Sequence, residues 1–409
     1  MVWMDMKPLP IRSSVEHYEK QAKEFLDAHK SGDSEAMRCT RRYHPYLPGT
    51  ADSVERDKLT DSEIRSITFD LADARFVVAR WYRFESWPKL TDFVAAVTQE
   101  SSLVSQFESA VEAIITGDVD TLQMLLRNNP ELVRVRSMRE HAATLLLYLS
   151  ANLVEDYRHK SPPNAVEVAR VLLEAGAEVD AAALTGGSGT TLGEVATSVH
   201  AARAGIQVAL METLLDGGAA IEGAPGGYQP LAAALANGQP EAAEFLAERG
   251  AQLDIVGAAG LGRLDLLKHY FEHDSSLQGN QTKEQLEEGF ILACLYGQTS
   301  VAEFLLEKGV DPAAGANVGQ TGLHYAAHAG HLDTVKMLIE RNAPLEVLNV
   351  YGGTVLGQAT WSVMNGDPGI DYAPIIEMLL DAGAKIEAAD YPTGNNRVDE
   401  VLQRHGARS

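Results

Sequence analysis

The chain is poor in cysteine, in aromatic residues and in positive charge. Only Cys39 and Cys294 occur in 409 residues, far apart in sequence. That excludes a disulfide framework and a zinc-finger cluster, and it suits a reducing compartment such as the cytoplasm. Lysine and arginine number 34 against 57 aspartates and glutamates, a formal net charge of −23. Binding to a phosphate backbone needs a basic stripe, and none is present, so nucleic acid is not an expected partner. The same charge disfavours an anionic membrane surface. The longest mostly apolar run, 142–154, is too short to span a bilayer. The first fourteen residues lack a basic start followed by an apolar core, so an export signal is not expected there.

Signatures of catalysis are also missing. There is no Walker loop and no HExxH, and Gly187, Ser188 and Gly189 complete neither GxSxG nor GxGxxG. What is present is repetition. LLEAGAEVD starts at Leu172, LLDGGAAIE at Leu214, LAERGAQLD at Leu246, LLEKGVDPA at Leu305, LIERNAPLE at Leu338 and LLDAGAKIE at Leu379. Each is an apolar helix end followed by a residue suited to a left-handed stop: Gly176, Gly218, Gly250, Gly309, Asn342 and Gly383. Their spacings are 42, 32, 59, 33 and 41 residues. The longest gap holds two units, with HYFEHDSSL from His269 as a degenerate helix end, and the 41- and 42-residue units each carry an insertion. Self-similarity at this period indicates stacked helix pairs, since no single pair can bury its apolar face alone.

The clearest unit, TGLHYAAHAGHLDTVKMLIERNAPLE at 321–346, resembles the ankyrin repeat, with TGLH in the place of that family's TPLH. The resemblance is strong over 316–348, good over 286–313 and 223–254, and looser over 101–220 and 349–409. It implies an all-α solenoid with short β-hairpin fingers and about eight or nine helix pairs. Gly322 stands where the family has Pro, and Gly193 and Gly357 where it has His. Residues 1–98 read as a separate helical N-terminal domain, with 99–409 as the repeat array. DLADARFVVARWYRFESWPKLTDFVAAV resembles a helical element that precedes the repeats in many bacterial ankyrin proteins. Its Phe76, Trp81, Phe84 and Trp87 fit a cap core, because the end of a solenoid must hide its apolar face. The tail NNRVDEVLQRHGARS fits a truncated last pair.

Several constellations are candidates for chemistry. His324 and His328 are one helical turn apart and His331 follows, a spacing that can hold a metal. In the ankyrin register, however, His324 and His331 fall where histidines brace backbone, nothing nearby supplies further ligands, and no metal is expected. GTTLGEVATSV (189–199) and GTVLGQATWSV (353–363) echo each other, each after a glycine-rich loop. Glycine at 193 and 357 removes bulk, so the two units either frame a pocket or share one packing solution. In the pocket reading, a hydrolase- or lyase-type enzyme would draw acid–base groups from Glu194, His200 and His328. The loop Glu155–Asn164 holds a rare basic cluster, Tyr157, Arg158, His159 and Lys160, and is expected to be a solvated loop offsetting local acidity.

The ankyrin register further implies a binding groove of Asn152, Thr197, Ser198, Tyr228, Asn237, Tyr296, Asn317, Gln320, His328, Tyr351, Trp361 and Ser362. The next unit also places Val350 there. Aromatic anchors among amides are what binding faces favour. The leading expectation is a scaffold that holds a protein or peptide without a cofactor, its acidic field favouring a basic partner. A small-molecule binder or enzyme is the alternative.

Overall fold

A computed structural model describes residues 14–44, 59–152, 154–155, 158–184, 189–271, 282–316 and 318–408. Asn317, Tyr157, the glycine loop at 186–188 and most of HYFEHDSSL lie outside the described residues.

The chain forms two compact units, Met1–Pro230 and Leu231–Ser409. The first holds α1 (Val15–Ser31), α2 (Ser34–Tyr43), α3 (Asp61–Ser66), α4 (Leu71–Trp81), α5 (Trp87–Val97), α6 (Leu103–Thr116), α7 (Val119–Asn128), α8 (Ala165–Glu174), α9 (Thr191–Ala196), α10 (Val199–Arg203) and α11 (Gln207–Asp216). Short 3-10 turns occupy Pro130–Arg134 and Leu146–Ser150. Helix α12 (Pro230–Ala236) starts at the division. The second unit continues with α13 (Pro240–Glu248), α14 (Ile255–Gly260), α15 (Leu264–Lys268), α16 (Lys283–Leu295), α17 (Thr299–Glu307), α18 (Gly322–His328), α19 (Leu332–Glu340), α20 (Val355–Asn365), α21 (Ala373–Asp381) and α22 (Asn396–Arg404). The fold is all-α, as the repeat pattern implies. The fingers are slighter than expected: among the described residues the only β pairings are single bridges, Arg136 with Thr144 and Gly315 with Thr321. The second is so short because Ala316 N donates to Gln320 O at 2.9 Å and closes the loop on itself.

The stop residues behave as their chemistry dictates. Gly176, Gly218, Gly250, Gly309, Asn342 and Gly383 all have φ between 59° and 99°, the left-handed conformation that ends a helix. In the second unit the inner helices α14, α16, α18 and α20 pack in series, and the outer helices α17, α19 and α21 pack in a parallel row. The inner row approaches through small residues. A Cβ at Gly289 would lie 3.0 Å from that of Ala259, and one at Gly322 would lie 2.7 Å from Cys294 Sγ and 2.8 Å from the Phe290 ring. This explains why TGLH replaces TPLH: Phe290 and Cys294 occupy the space a proline ring would need.

In the first unit, α1 to α5 share one interior built on Tyr18, Phe25, Met37, Ile64, Phe84 and Phe93. Trp81 and Phe84 are buried in it, while Phe76 and Trp87 are half-buried. Asp70 starts α4 with a capping box, accepting from Ala72 N at 2.6 Å.

Helix α6 continues from this interior, and a buried charge network joins it to the loop beyond. Arg139 donates to Glu108 at 2.7 and 3.3 Å, Arg158 donates to Glu108 at 2.7 Å, and both guanidiniums pair with Glu155. The Arg139 guanidinium lies 4.8 Å from the centre of the Phe93 ring, and Glu140 pairs with Arg80 on α4. Arg158 is therefore not part of a solvated loop, which corrects the expectation for 155–164: it is 2% exposed, and Glu108 and Glu155 neutralise it and Arg139. Burial alone would raise the pKa of both carboxyls. For Glu108 the guanidiniums of Arg139 and Arg158 outweigh it, and for Glu155 Arg139, the His141 ring and Arg158 do so. Both are held below the ordinary glutamate value.

Because these folded-state pKa values are depressed, the network stabilises the fold fully above the unfolded glutamate pKa of about 4.3 and loses that contribution as pH falls below it. Glu108→Gln leaves a buried guanidinium short of its counter-charge, at an expected cost of about 3–5 kcal/mol at pH 7. The variant should also lose less stability than wild type between pH 7 and pH 3.5. Urea denaturation followed by tryptophan fluorescence reads both effects. A cost under about 1 kcal/mol, the range of exposed pairs, would contradict this assignment.

Candidate interaction face

Asn349 shapes the finger before α20. Its side-chain oxygen accepts from Tyr351 N at 3.0 Å and Gly353 N at 2.9 Å, folding the tip back on itself. Val350 N donates to Val318 O at 3.0 Å and ties this finger to the preceding one. The tip therefore presents Leu348, Val350 and Tyr351 outward, and Tyr351 is 79% exposed. Behind the tip, Gln320 donates to Gln358 at 3.0 Å, and Asn349 shares the same acceptor at 3.4 Å.

Farther along α20, Trp361 and Met364 are both close to half exposed. Ser362, one position on, faces inward and is buried. Its hydroxyl donates to Gln358 O at 2.7 Å and meets His328 Nδ1 at 2.8 Å. The His328 ring is half-buried, its centre 6.3 Å from that of Trp361, and burial lowers its pKa. Burial thus disfavours the charged form of the ring that lies beside Trp361.

His324 and His331 brace backbone. His324 Nδ1 accepts from Thr321 N at 3.1 Å, and His331 Nε2 lies 2.9 Å from Leu295 O. Among the described residues no group of three or more His, Cys, Asp or Glu side chains is placed to hold a metal.

The glycines of the echoed motif face the chain itself. A Cβ at Gly193 would lie 2.9 Å from the Tyr228 ring, and one at Gly357 would lie 3.0 Å from Ala388 O. Tyr228 reaches back over Gly193 and donates to the Glu194 carboxylate. Burial raises the Glu194 pKa, partly opposed by that hydrogen bond. The room that the pocket reading assigned to a ligand is occupied by Tyr228 in one unit and by backbone in the other. His200 sits beside His159, ring centres 5.1 Å apart, and burial followed by that neighbour lowers its pKa. Its ring neighbour is His159, the hydrogen-bond partner of Glu194 is Tyr228, and no hydrogen bond or ion pair among the described residues joins the two candidates.

The remaining groove residues divide by burial. Ser198 is buried and caps α10 through Ala201 N at 3.2 Å, so neither it nor Ser362 is available to a partner, contrary to expectation. Asn152 joins Glu194 O and Thr197 Oγ1 at 3.0 and 2.9 Å. The Tyr296 hydroxyl donates to Leu235 O, and burial pushes its pKa up to about 12. Asn237 is exposed but turned onto its own helix, donating to Ala233 O at 2.8 Å. Tyr351 and Trp361 remain as the large exposed anchors. Sequence reasoning missed Leu348 and Met364, whose exposure follows from the finger turn and the end of α20.

The family profile described as ankyrin repeats (3 copies) matches residues 290–390, which contain Tyr296, Gln320, His328, Tyr351, Trp361 and Ser362. The human transient receptor potential cation channel subfamily A member 1 is similar at 26% identity over 185 residues, covering 40% of this chain and 15% of that protein. The chain therefore spans a small part of that relative's length. Among the described residues no helix is long and apolar enough to cross a membrane.

If Tyr228 fills the space at Gly193, then Gly193→Ala should cost about 1–3 kcal/mol through overpacking. In Tyr228→Ala the same substitution should cost less, so a double-mutant cycle in urea should show clear coupling. Strict additivity would mean that the ring does not occupy that space.

Proposed function

We propose that the chain is a binding scaffold that holds a protein or peptide on the face formed by the 347–353 finger and the exposed side of α20. Ankyrin repeats generally mediate protein–protein interaction, and residues 290–390 are such repeats. The observation that carries the reading is the exposure of Tyr351 and Trp361, next in sequence to the exposed Leu348, Val350 and Met364. Large apolar side chains left in water without a packing role mark an interaction site, and aromatic anchors supply most of the energy at such sites. The net charge of −23 supports a basic partner. The pocket alternative gains nothing from Gly193 and Gly357, whose neighbouring space is filled.

Within this reading residues 15–97, with an interior of their own, cap the array, as the bacterial-type element in the sequence suggests. A cytoplasmic setting agrees with Cys39 and Cys294, which are both buried free thiols.

Affinity capture from the source cells tests the proposal with three baits: wild type, Tyr351→Ala/Trp361→Ala, and Lys336→Ala/Glu340→Ala on the exposed side of α19. The expected result is a partner retained by the first and third baits and reduced at least tenfold on the second. An identical partner set on all three baits would place binding elsewhere.

A further inference from the structure

The insertion that lengthens this repeat follows Trp361 and runs through Gly366–Asp371. Between Arg341 and Lys385 the chain has no lysine or arginine but five carboxylates: Glu346, Asp367, Asp371, Glu377 and Asp381. Four of them have evident work. Asp371 pairs with Arg397, Glu377 with Arg404 and Asp381 with His405, while Glu346 accepts from Lys385 N at 3.0 Å. Asp367 is exposed, and no cation among the described residues pairs with it; its side chain accepts only from Gly369 N, at 2.8 Å.

Asp367 follows Trp361 by six residues around the corner that ends α20, and a chain of neighbours through His328 and Tyr372 runs between them. Tyr372 O–H donates to His328 O at 2.9 Å, and a Cβ at Gly366 would lie 2.7 Å from the same hydroxyl oxygen. Burial, then the charge on Asp367, raises the Tyr372 pKa, so the field of that carboxylate reaches the corner. His328 lies against Trp361 on the other side. The corner thus combines an exposed indole with an exposed carboxylate that no described cation pairs with, while Arg397 is held by Asp371.

We propose that this corner receives a cationic side chain of the bound segment, with the charged group lying on the Trp361 ring and Asp367 as its counter-charge. Aromatic faces attract cations, and arginine is the better fit because its planar, weakly hydrated guanidinium can stack and hydrogen-bond together. The inference rests on the proposed binding face and adds the chemistry of what binds there.

A random twelve-residue peptide library displayed on phage, selected on the full-length chain, tests both layers separately. Affinities of the enriched peptides for wild type, Trp361→Ala and Asp367→Asn are then measured by fluorescence anisotropy, with far-UV circular dichroism confirming that both variants are folded. The expected result is enrichment of Arg or Lys at one position. Kd should rise tenfold or more in Trp361→Ala and about three- to fivefold in Asp367→Asn. The Asp367 effect should shrink between 0.15 and 0.5 M salt. Peptides that need Trp361 but carry no cation and ignore Asp367→Asn would overturn this inference and leave the binding face standing. No enrichment, or peptides indifferent to Trp361→Ala, would overturn both.

Discussion

A helix pair with one apolar face is stable only when another pair covers it, and that constraint organises the chain. In the second unit it is met by bringing inner helices together through glycine and alanine. Gly260 approaches the Leu235 side chain, Gly289 approaches Ala259, and Gly322 approaches Phe290 and Cys294. At each contact a methyl group would force a neighbouring atom to move, so close packing constrains the spacing of neighbouring repeats. A regular spacing in turn fixes where the fingers and the exposed side of each inner helix point. The proposed face is a by-product of that order: α20 turns Leu356, Ala359 and Ser362 inward, and Trp361 is thereby turned outward.

The first unit solves its junction by different means. Glu108 on α6 meets Arg139 and Arg158 from the loops beyond it, and Glu155 completes a set of two positive and two negative charges. Such a network adds less stability than an apolar core of the same volume, but it tolerates no missing member. It specifies which loop lies over α6, and the aromatic rings of Phe84 and Phe93 beneath Arg139 tie that choice to the N-terminal helices.

The sequence made legible whatever depends on neighbouring residues. The stop positions were readable because a left-handed residue leaves a local signature, and each of them adopts that conformation. The inner and outer helices were readable from their periodicity, and Tyr351 and Trp361 as outward positions from the ankyrin register that the resemblance implies. What escaped was decided at long range. Nothing local to Gly193 announces that Tyr228, 35 residues later, will lie across it. The Arg158 loop looked solvated because one of its two carboxylate partners, Glu108, lies far away in sequence on α6. Ser198 and Ser362 were assigned to the groove by register, yet Ser198 is the buried N-cap of α10, and Ser362 lies one position past Trp361 on α20 and faces inward. A shift of one residue on a helix changes the facing direction by about 100°.

The account of function reduces to the claim that Tyr351, Trp361 and Met364 touch the partner. Hydroxyl-radical footprinting of the free chain and of the chain bound to a captured partner tests it directly, since all three side chains are oxidisable and exposed. The account predicts strong protection of these three in the complex, with Met124 on α7 oxidised equally in both states. Unchanged oxidation of Tyr351 and Trp361 in a saturated complex, or protection confined to other surfaces, would contradict it.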